Sequence, residues 1–220
     1  GSNVSRDQFL QAALALPLEA RTAIAQQLAE GATEFLPPAR VHINGLGAIG
    51  RNALRAHLQD PRRRPMRERL QGPWRGSRVV VSINDPDLKL KTLGLKGAKN
   101  AKMLLEREFQ TALRSRLQDA TVTAGYDEGQ QQYWLEINGS RIALFDEREP
   151  EQLPLGRLAI DQVWEASRQF RDRRKPETDP ARLLRAGAKR VIVSAPMSGE
   201  GVTTVGPGMN EQILSSGQEI

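Results

Sequence analysis

The sequence predicts an α/β fold, a doubly wound and mostly parallel sheet with helices on both faces. From about residue 39 onwards, short β-branched runs alternate with segments of helical periodicity, which is typical of βαβ units. The runs Arg78–Asn84 and 189–194 are apolar without polar alternation, as expected for strands buried on both faces. A glycine-rich turn, Gly45-x-Gly47-x-x-Gly50, follows the first of the strands and opens a helix.

The chain divides at Pro37-Pro38. Gly1-Ser2 resembles the remnant of a removed tag, and we leave it out of the fold. Apolar residues recur at helical spacing from Ser5 to Gly31 with a break at Pro17, which predicts a helical hairpin. We therefore expect an N-terminal helical extension over 1–38 and the α/β domain over 39–220.

Within the α/β domain, hydrophobic periodicity and turn residues predict the elements in order. The expected strands are 40–44, 78–84, 121–124, 160–164, 189–194 and 202–205, together with a hairpin over 132–145 that turns at Asn138-Gly139. The expected helices are 49–58, 88–117 and a segment that begins at Asp179 and ends at Gly187. We expect the hairpin to be an antiparallel addition at one edge of the sheet.

Composition excludes several classes of protein. A chain of 220 residues with 39% hydrophobic and 26% charged residues can bury a substantial core. No apolar run reaches the roughly 20 residues that span a bilayer, so we expect no membrane partner. The sequence holds no cysteine and only two histidines, which excludes a disulfide framework, a thiolate zinc site and a His-rich metal site among its residues. The absence of cysteine agrees with a cytoplasmic location.

The net charge of +6 comes largely from two basic runs, residues 62–69 and 168–175. Such runs can meet the phosphates of a nucleic acid or of a nucleotide. Solvated surface loops explain them equally simply, and we favour that interpretation.

The glycine-rich turn is the motif that carries chemistry. Gly45 permits a tight turn, Gly47 lets the backbone approach a pyrophosphate, and Gly50 lets the helix pack closely on the strand. The N–H groups of Ala48 and Ile49 would face the phosphates at the positive end of the helix dipole.

An acidic residue at the end of the second strand completes the dinucleotide-binding fingerprint. Asp85 stands there and would accept hydrogen bonds from ribose hydroxyls, which favours NAD over NADP because a carboxylate repels a 2′-phosphate. Its separation from Gly45 is 40 residues, against roughly 20 in the usual motif. We attribute the excess to an inserted basic loop over 59–76. The alternative is a glycine-rich turn that binds no ligand.

Five segments, in the same order, resemble the phosphorylating glyceraldehyde-3-phosphate dehydrogenases. They are Val41-His-Ile-Asn-Gly-Leu-Gly-Ala-Ile-Gly-Arg51, Ser82-Ile-Asn-Asp-Pro86, Asn138-Gly-Ser-Arg-Ile142 with Glu147-Arg-Glu-Pro150, Ala186-Gly-Ala-Lys-Arg-Val-Ile-Val-Ser-Ala-Pro196, and Gly208-Met-Asn210. The resemblance implies a Rossmann-like NAD-binding domain from about residue 40 onwards. It also implies cofactor contacts at Asn44, Gly45, Gly47, Ala48, Ile49, Asn84, Asp85, Arg148, Ser167 and Ser194. Arg148 would lie near the adenine and Ser194 on the nicotinamide side.

Two departures from the family pattern limit the expected activity. Where the family has E-S-T-G-x-F, this chain reads Glu165-Ala-Ser-Arg-Gln-Phe170, so that Arg168 replaces a glycine beside the cofactor. The family's catalytic-cysteine motif would come just after Ile220, so we expect a piece cut at the domain boundary whose C-terminal catalytic domain is missing. The chain would then have no catalytic residue of its own, and its enzyme status stays uncertain.

Two functions follow from these patterns. The first is the NAD-binding domain of an oxidoreductase that oxidises a phosphorylated aldehyde, acts in glycolysis, and in its parent form is compatible with a homo-oligomer. The second is a non-catalytic nucleotide- or RNA-binding or regulatory module that reuses the fold. We favour the first function. Arg168, the arginine-rich runs and the N-terminal helices are the features that speak for the second.

Overall fold

The computed structural model describes residues 39–59, 78–112, 121–137, 140–205 and 210. The expected N-terminal helical hairpin, the basic run at 62–69 and the Asn138-Gly139 turn lie outside these residues. The division of the chain at residue 38 therefore stays a prediction.

The described residues form one seven-stranded sheet in the order β3-β4-β5-β2-β1-β6-β7. Its strands are β1 Ala39–Asn44, β2 Arg78–Asn84, β3 Val122–Asp127, β4 Gln132–Ile137, β5 Ser140–Phe145, β6 Gln162–Glu165 and β7 Val191–Val193. The pairs β5–β2, β2–β1, β1–β6 and β6–β7 are parallel. The predicted α/β class with a mostly parallel sheet is confirmed.

The predicted hairpin is the antiparallel pair β4–β5, and β3 extends it as an antiparallel edge strand. β5 also pairs in parallel with β2 through Ser82↔Ala143 and Asn84↔Phe145. The hairpin is thus continuous with the main sheet, and only β4 runs against the other strands.

The described helices are α1 Ala48–Gln59, α2 Leu90–Leu93, α3 Leu95–Ala112 and α4 Ala181–Arg185. The helix expected over 88–117 divides at Gly94, whose φ of 55° lies in the left-handed region. α4 begins where Asp179 Oδ1 accepts a hydrogen bond from Ala181 N at 2.9 Å. It is followed by Gly187, at φ 106°, as its sequence predicted.

The strand expected at 202–205 is wrong, because these residues have no strand structure. Val202 and Val205 have β-branched side chains, but β-propensity stabilises a strand only where a neighbouring strand pairs with it. Just before this segment, Arg173 Nη1 donates to Glu200 O at 3.1 Å, and no strand pairing is formed by residues 202–205 within the described part of the chain.

Two hydrophobic clusters hold the sheet, one on each face. The first lies under α1 and α3 and includes Val41, Ile43 and Leu54. The second includes Val163 and Leu183 and lies under the 146–160 segment and α4. Each fully buried side chain of this size contributes about 1.5–3 kcal/mol of transfer free energy. Among the described helices, none is both long and apolar enough to cross a membrane.

Candidate functional site

Five aligned strands, β5, β2, β1, β6 and β7, end along one edge of the sheet. All ten residues expected to contact a cofactor lie at or just beyond these carboxyl ends, or in the first turn of α1. The chain leaves β1 towards β2 on one side, while β6 lies on the other side of β1. Such a reversal of strand order opens a crevice outside the strand ends, where α/β proteins bind ligands.

The three glycines of the turn differ in what surrounds them. Gly45 has φ 99°, and a Cβ there would lie 2.6 Å from Ser167 N. A Cβ on Gly50 would lie 1.8 Å from Gly45 O, so the first turn of α1 packs against the end of β1. Gly47 is exposed, and a Cβ there would meet nothing within 4 Å. Space is therefore open only over the middle glycine.

The first turn of α1 adjoins this open space. Its first helical hydrogen bond runs from Arg51 N to Gly47 O at 3.0 Å, so the N–H groups that precede it have no partner within the helix. Arg51 Nη1 donates to Leu46 O at 2.9 Å, which links the first turn of α1 to the residue before Gly47. Ala48 is exposed and Ile49 half-buried. The arrangement presents donors and a positive helix end to an anion.

Asp85 lies beside the glycine turn despite its distance along the chain. Its Oδ2 accepts from Leu46 N at 2.6 Å, and its Oδ1 accepts from Asp87 N at 2.9 Å. Parallel pairing of β1 with β2 aligns Asn44 with Asn84, which brings the following residues together. The carboxylate is half-buried, and its remaining lone pairs are available to hydroxyl donors.

A buried polar network joins the strand ends behind the turn. Asn84 Nδ2 donates to Asn44 Oδ1 at 2.8 Å, and Asn44 Nδ2 donates to Glu165 Oε2 at 2.5 Å. Asn84 also exchanges two hydrogen bonds with the Glu147 backbone, at 2.8 Å and 2.9 Å. The two asparagine side chains are thus engaged within the protein and act from behind the turn rather than on its open side.

Ser167, Ser194 and Arg148 complete the edge. Ser167 N donates to Glu165 Oε1 at 2.6 Å, and the Ser167 hydroxyl donates to the same oxygen. Ser194 Oγ donates to Glu165 O at 2.9 Å. Arg148 follows Glu147, whose backbone is bonded to Asn84; it is exposed and forms no ion pair with another of the described residues. Its guanidinium is free to meet a ligand at the Asp85 end of the crevice.

Arg168 stands at the β6 side of the crevice in a strained backbone conformation. Its φ of 68° lies in the left-handed region, where a side chain costs about 1–2 kcal/mol relative to the right-handed region. The side chain is exposed and, within the part of the chain that the structure describes, makes no hydrogen bond or ion pair. A glycine, which the resembled family has here, would adopt this conformation without strain.

Two of the five cationic side chains in the basic run at 168–175 are paired with nearby carboxylates. Arg174 Nε donates to Asp172 Oδ1 at 2.9 Å, and Arg173 Nε lies 3.8 Å from Asp179 Oδ1. The hydrogen bonds from Arg174 lower the pKa of Asp172 to about 2. This pairing agrees with the interpretation of the run as a solvated surface loop.

Metal binding finds no support in the part of the chain that the structure describes, which contains no cluster of three or more His, Cys, Asp or Glu side chains. His42 is fully buried in β1, and its Nδ1 lies 2.8 Å from Ser82 Oγ. Burial lowers the pKa of His42 to about 3, so the ring stays neutral.

Two features of the edge escaped sequence reasoning. The sequence pattern assigns Glu165 no role beyond the start of a family segment, yet the residue is 1% exposed and accepts hydrogen bonds from three donors. The available signal was a carboxylate directly after Val163-Trp164, at the end of the short strand Gln162–Glu165. The hydrogen bond from Leu46 N to Asp85 could not be predicted from the sequence, because every residue except proline has a backbone N–H.

Comparison with known proteins identifies relatives of the chain. It is 34% identical over 166 residues to "Glyceraldehyde-3-phosphate dehydrogenase" of Geobacillus stearothermophilus, covering 76% of this chain and 38% of the relative. It is 30% identical over 215 residues to the chloroplastic enzyme of that name from Gracilaria gracilis, covering 98% and 41%. It is 33% identical over 180 residues to the chloroplastic enzyme of the same name from Chondrus crispus, and the match covers 80% of this chain and 34% of that relative. The chain thus spans well under half the length of these relatives. No protein-family model matches it.

Proposed function

Because this chain belongs to the glyceraldehyde-3-phosphate dehydrogenase family over the part it spans, we propose that it is the NAD-binding domain of such an oxidoreductase. The observation that carries the proposal is the open space over Gly47 between the start of α1 and the Asp85 carboxylate. A backbone without Cβ, unpaired N–H donors and a carboxylate are what a pyrophosphate and its adjoining ribose need.

In this proposal six of the ten candidate residues face the cofactor. Gly47, Ala48 and Ile49 present the backbone to the pyrophosphate, and Asp85 accepts from the adenosine ribose. Arg148 flanks the adenine and Ser194 lies on the nicotinamide side. Bound NAD supplies the hydride acceptor, and this chain supplies binding and orientation.

The chain by itself is proposed to bind without catalysing. The relatives are named as dehydrogenases of glyceraldehyde 3-phosphate, and the resembled chemistry needs a thiolate nucleophile. The 220 residues contain no cysteine, so no side chain here can form an acyl-thioester. A C-terminal catalytic domain and a homo-oligomeric parent belong to the same proposal. We further propose a cytoplasmic setting.

Titration of the chain with NAD and with NADP by isothermal calorimetry tests this function. We expect NAD to bind and NADP to bind more weakly, because Asp85 repels the 2′-phosphate. In Asp85→Asn the repulsion is absent and the preference for NAD shrinks. Glu136→Gln, the same kind of change on the antiparallel part of the sheet, is the control. If neither NAD nor NADP gives any heat of binding, the proposal is refuted.

The nucleic-acid module is the second function, and a salt series tests it. Binding to RNA through phosphates would weaken steeply with added salt. The internal pairing of Arg173 and Arg174 opposes this function for the described basic run. NAD binding that is nearly independent of salt would favour the dinucleotide site.

A further inference from the structure

The Glu165 carboxylate is the point at which the β1 and β6 ends of the crevice meet. Asn44 Nδ2 donates to its Oε2 at 2.5 Å from the last residue of β1. Ser167 donates to its Oε1 through both N and Oγ from the turn after β6. Both oxygens are therefore engaged, one with each side of the crevice.

In all three contacts the partner group donates, which favours the ionised form of the carboxyl group. An ionised carboxylate accepts on both oxygens, as the contacts require. A protonated carboxyl or a carboxamide would turn a hydrogen towards one donor. The Ser167 hydroxyl is itself engaged, since its oxygen accepts from Gln169 N at 3.1 Å.

The same hydrogen bonds set the position of the glycine turn. A Cβ on Gly45 would lie 2.6 Å from Ser167 N, so the turn rests directly on the backbone that Glu165 holds. On the other side, Asn44 Oδ1 accepts a hydrogen bond from Asn84 Nδ2 at 2.8 Å. Asn84 directly precedes Asp85, so Glu165 is linked through Asn44 to the Asp85 backbone. Both the pyrophosphate side and the ribose side of the crevice depend on this one group.

We propose that ionised Glu165 is a positioning residue of the nucleotide site, which holds the β1 and β6 turns in register without touching the ligand. This inference rests on the proposed function. Glu165 lies behind the turn and is 1% exposed, so it acts through Asn44, Gly45 and Ser167.

The environment of Glu165 gives the proposal a signature in pH. Burial raises the pKa of Glu165, and the hydrogen bonds from Asn44, Ser167 and the Arg168 backbone only partly oppose it. The charged side chains on the adjoining turns, which are Asp85, Glu147, Arg148 and Arg168, make no hydrogen bond to it. Nucleotide affinity should therefore fall on mild acidification as Glu165 takes up a proton.

The contribution of Glu165 to fold stability, taken as the difference between the unmodified chain and Glu165→Gln at each pH, should move the opposite way. A carboxyl group with a raised pKa in the folded state binds more protons there than in the unfolded chain, where its pKa is near 4.5. Its contribution to the free energy of unfolding therefore increases as the pH falls through the raised pKa of the folded state towards 4.5. A role through stability alone would make affinity and stability change together.

The experiment compares the full chain with Glu165→Gln and the control Glu136→Gln. NAD affinity is measured by calorimetry from pH 8 to pH 5, and unfolding by urea at each pH. We expect Glu165→Gln to bind on the order of tenfold more weakly at pH 7.5, with little further pH dependence. The affinity of the unmodified chain should approach that of the variant as the pH falls.

Amide hydrogen exchange of the ligand-free proteins separates this inference from the proposed function. We expect faster exchange at Leu46 and Ser167 in Glu165→Gln and not in the control. If the unmodified chain binds no NAD, the proposed function fails, but the exchange data still decide whether Glu165 orders the turns. Equal affinity in Glu165→Gln, or unchanged exchange, would overturn the positioning role.

Discussion

Substitution of Gly47 separates ligand binding from folding. Its Cβ position is open for 4 Å, the residue is exposed, and its φ lies outside the left-handed region. Alanine there should raise the free energy of unfolding by about 0.4–1 kcal/mol, because it restricts the unfolded chain without strain in the folded one.

The same methyl group would occupy the space proposed for the pyrophosphate. A bound phosphate held off the Gly47 backbone loses at least one charge-assisted hydrogen bond, which is worth about 1.5–3 kcal/mol. NAD affinity should therefore fall by roughly ten- to a hundredfold in Gly47→Ala. The larger side chain of Gly47→Val should reduce it further.

Two other glycines provide matched controls. Gly129→Ala places a Cβ 3.5 Å from Asp127 Oδ1, which is ordinary contact far from the crevice, so binding should be unchanged. Gly50→Ala forces a Cβ to 1.8 Å from Gly45 O and should destabilise the fold. Calorimetry gives the affinity and urea unfolding the stability. A folded Gly47→Val chain that binds NAD as tightly as the unmodified chain would refute the reasoning.

The remaining predictions concern stability. Arg168→Gly should raise the free energy of unfolding in urea by about 0.5–1 kcal/mol, because relief of left-handed strain exceeds the entropy cost of glycine; a loss would show that the Arg168 side chain is stabilising. His42 binds a proton at pH 6.5 when unfolded but only near pH 3 when folded, so stability falls on acidification between these values, by at most about 1.4 kcal/mol per pH unit. His42→Leu should lack this slope in urea titrations, and an unchanged slope would contradict the assignment. Gly125→Val would bring Cβ within 2.3 Å of Trp134 and should shift its fluorescence while destabilising the sheet, whereas an unchanged spectrum would argue against this contact.

The sequence predicted the central strands and the first helix because their signals are local. β2, Arg78–Asn84, contains three consecutive valines and an isoleucine, and α1 begins within the glycine motif. The break at Gly94 was missed because an isolated glycine inside a helical pattern does not by itself end a helix. The strand at 202–205 failed because pairing depends on a neighbour that local sequence does not specify.

The site was predictable only in part for the same reason. The glycine spacing and Asp85 are visible along the chain, so the edge of the sheet could be located. The contacts that hold it join residues far apart, such as Asn44 and Glu165, which are separated by 121 positions. A single sequence contains no measure of such a pairing.

The hydrogen bond between Asp85 and the Leu46 N–H makes the site insensitive to the length of chain that connects its two halves. The two residues are 39 positions apart, but parallel pairing of β1 and β2 fixes their separation in space. Closing a longer flexible connection costs little, about 0.6 kcal/mol for each doubling of its length. We therefore expect that a label or a reporter peptide inserted between residues 59 and 78 leaves the hydrogen bond between Asp85 and Leu46 in place.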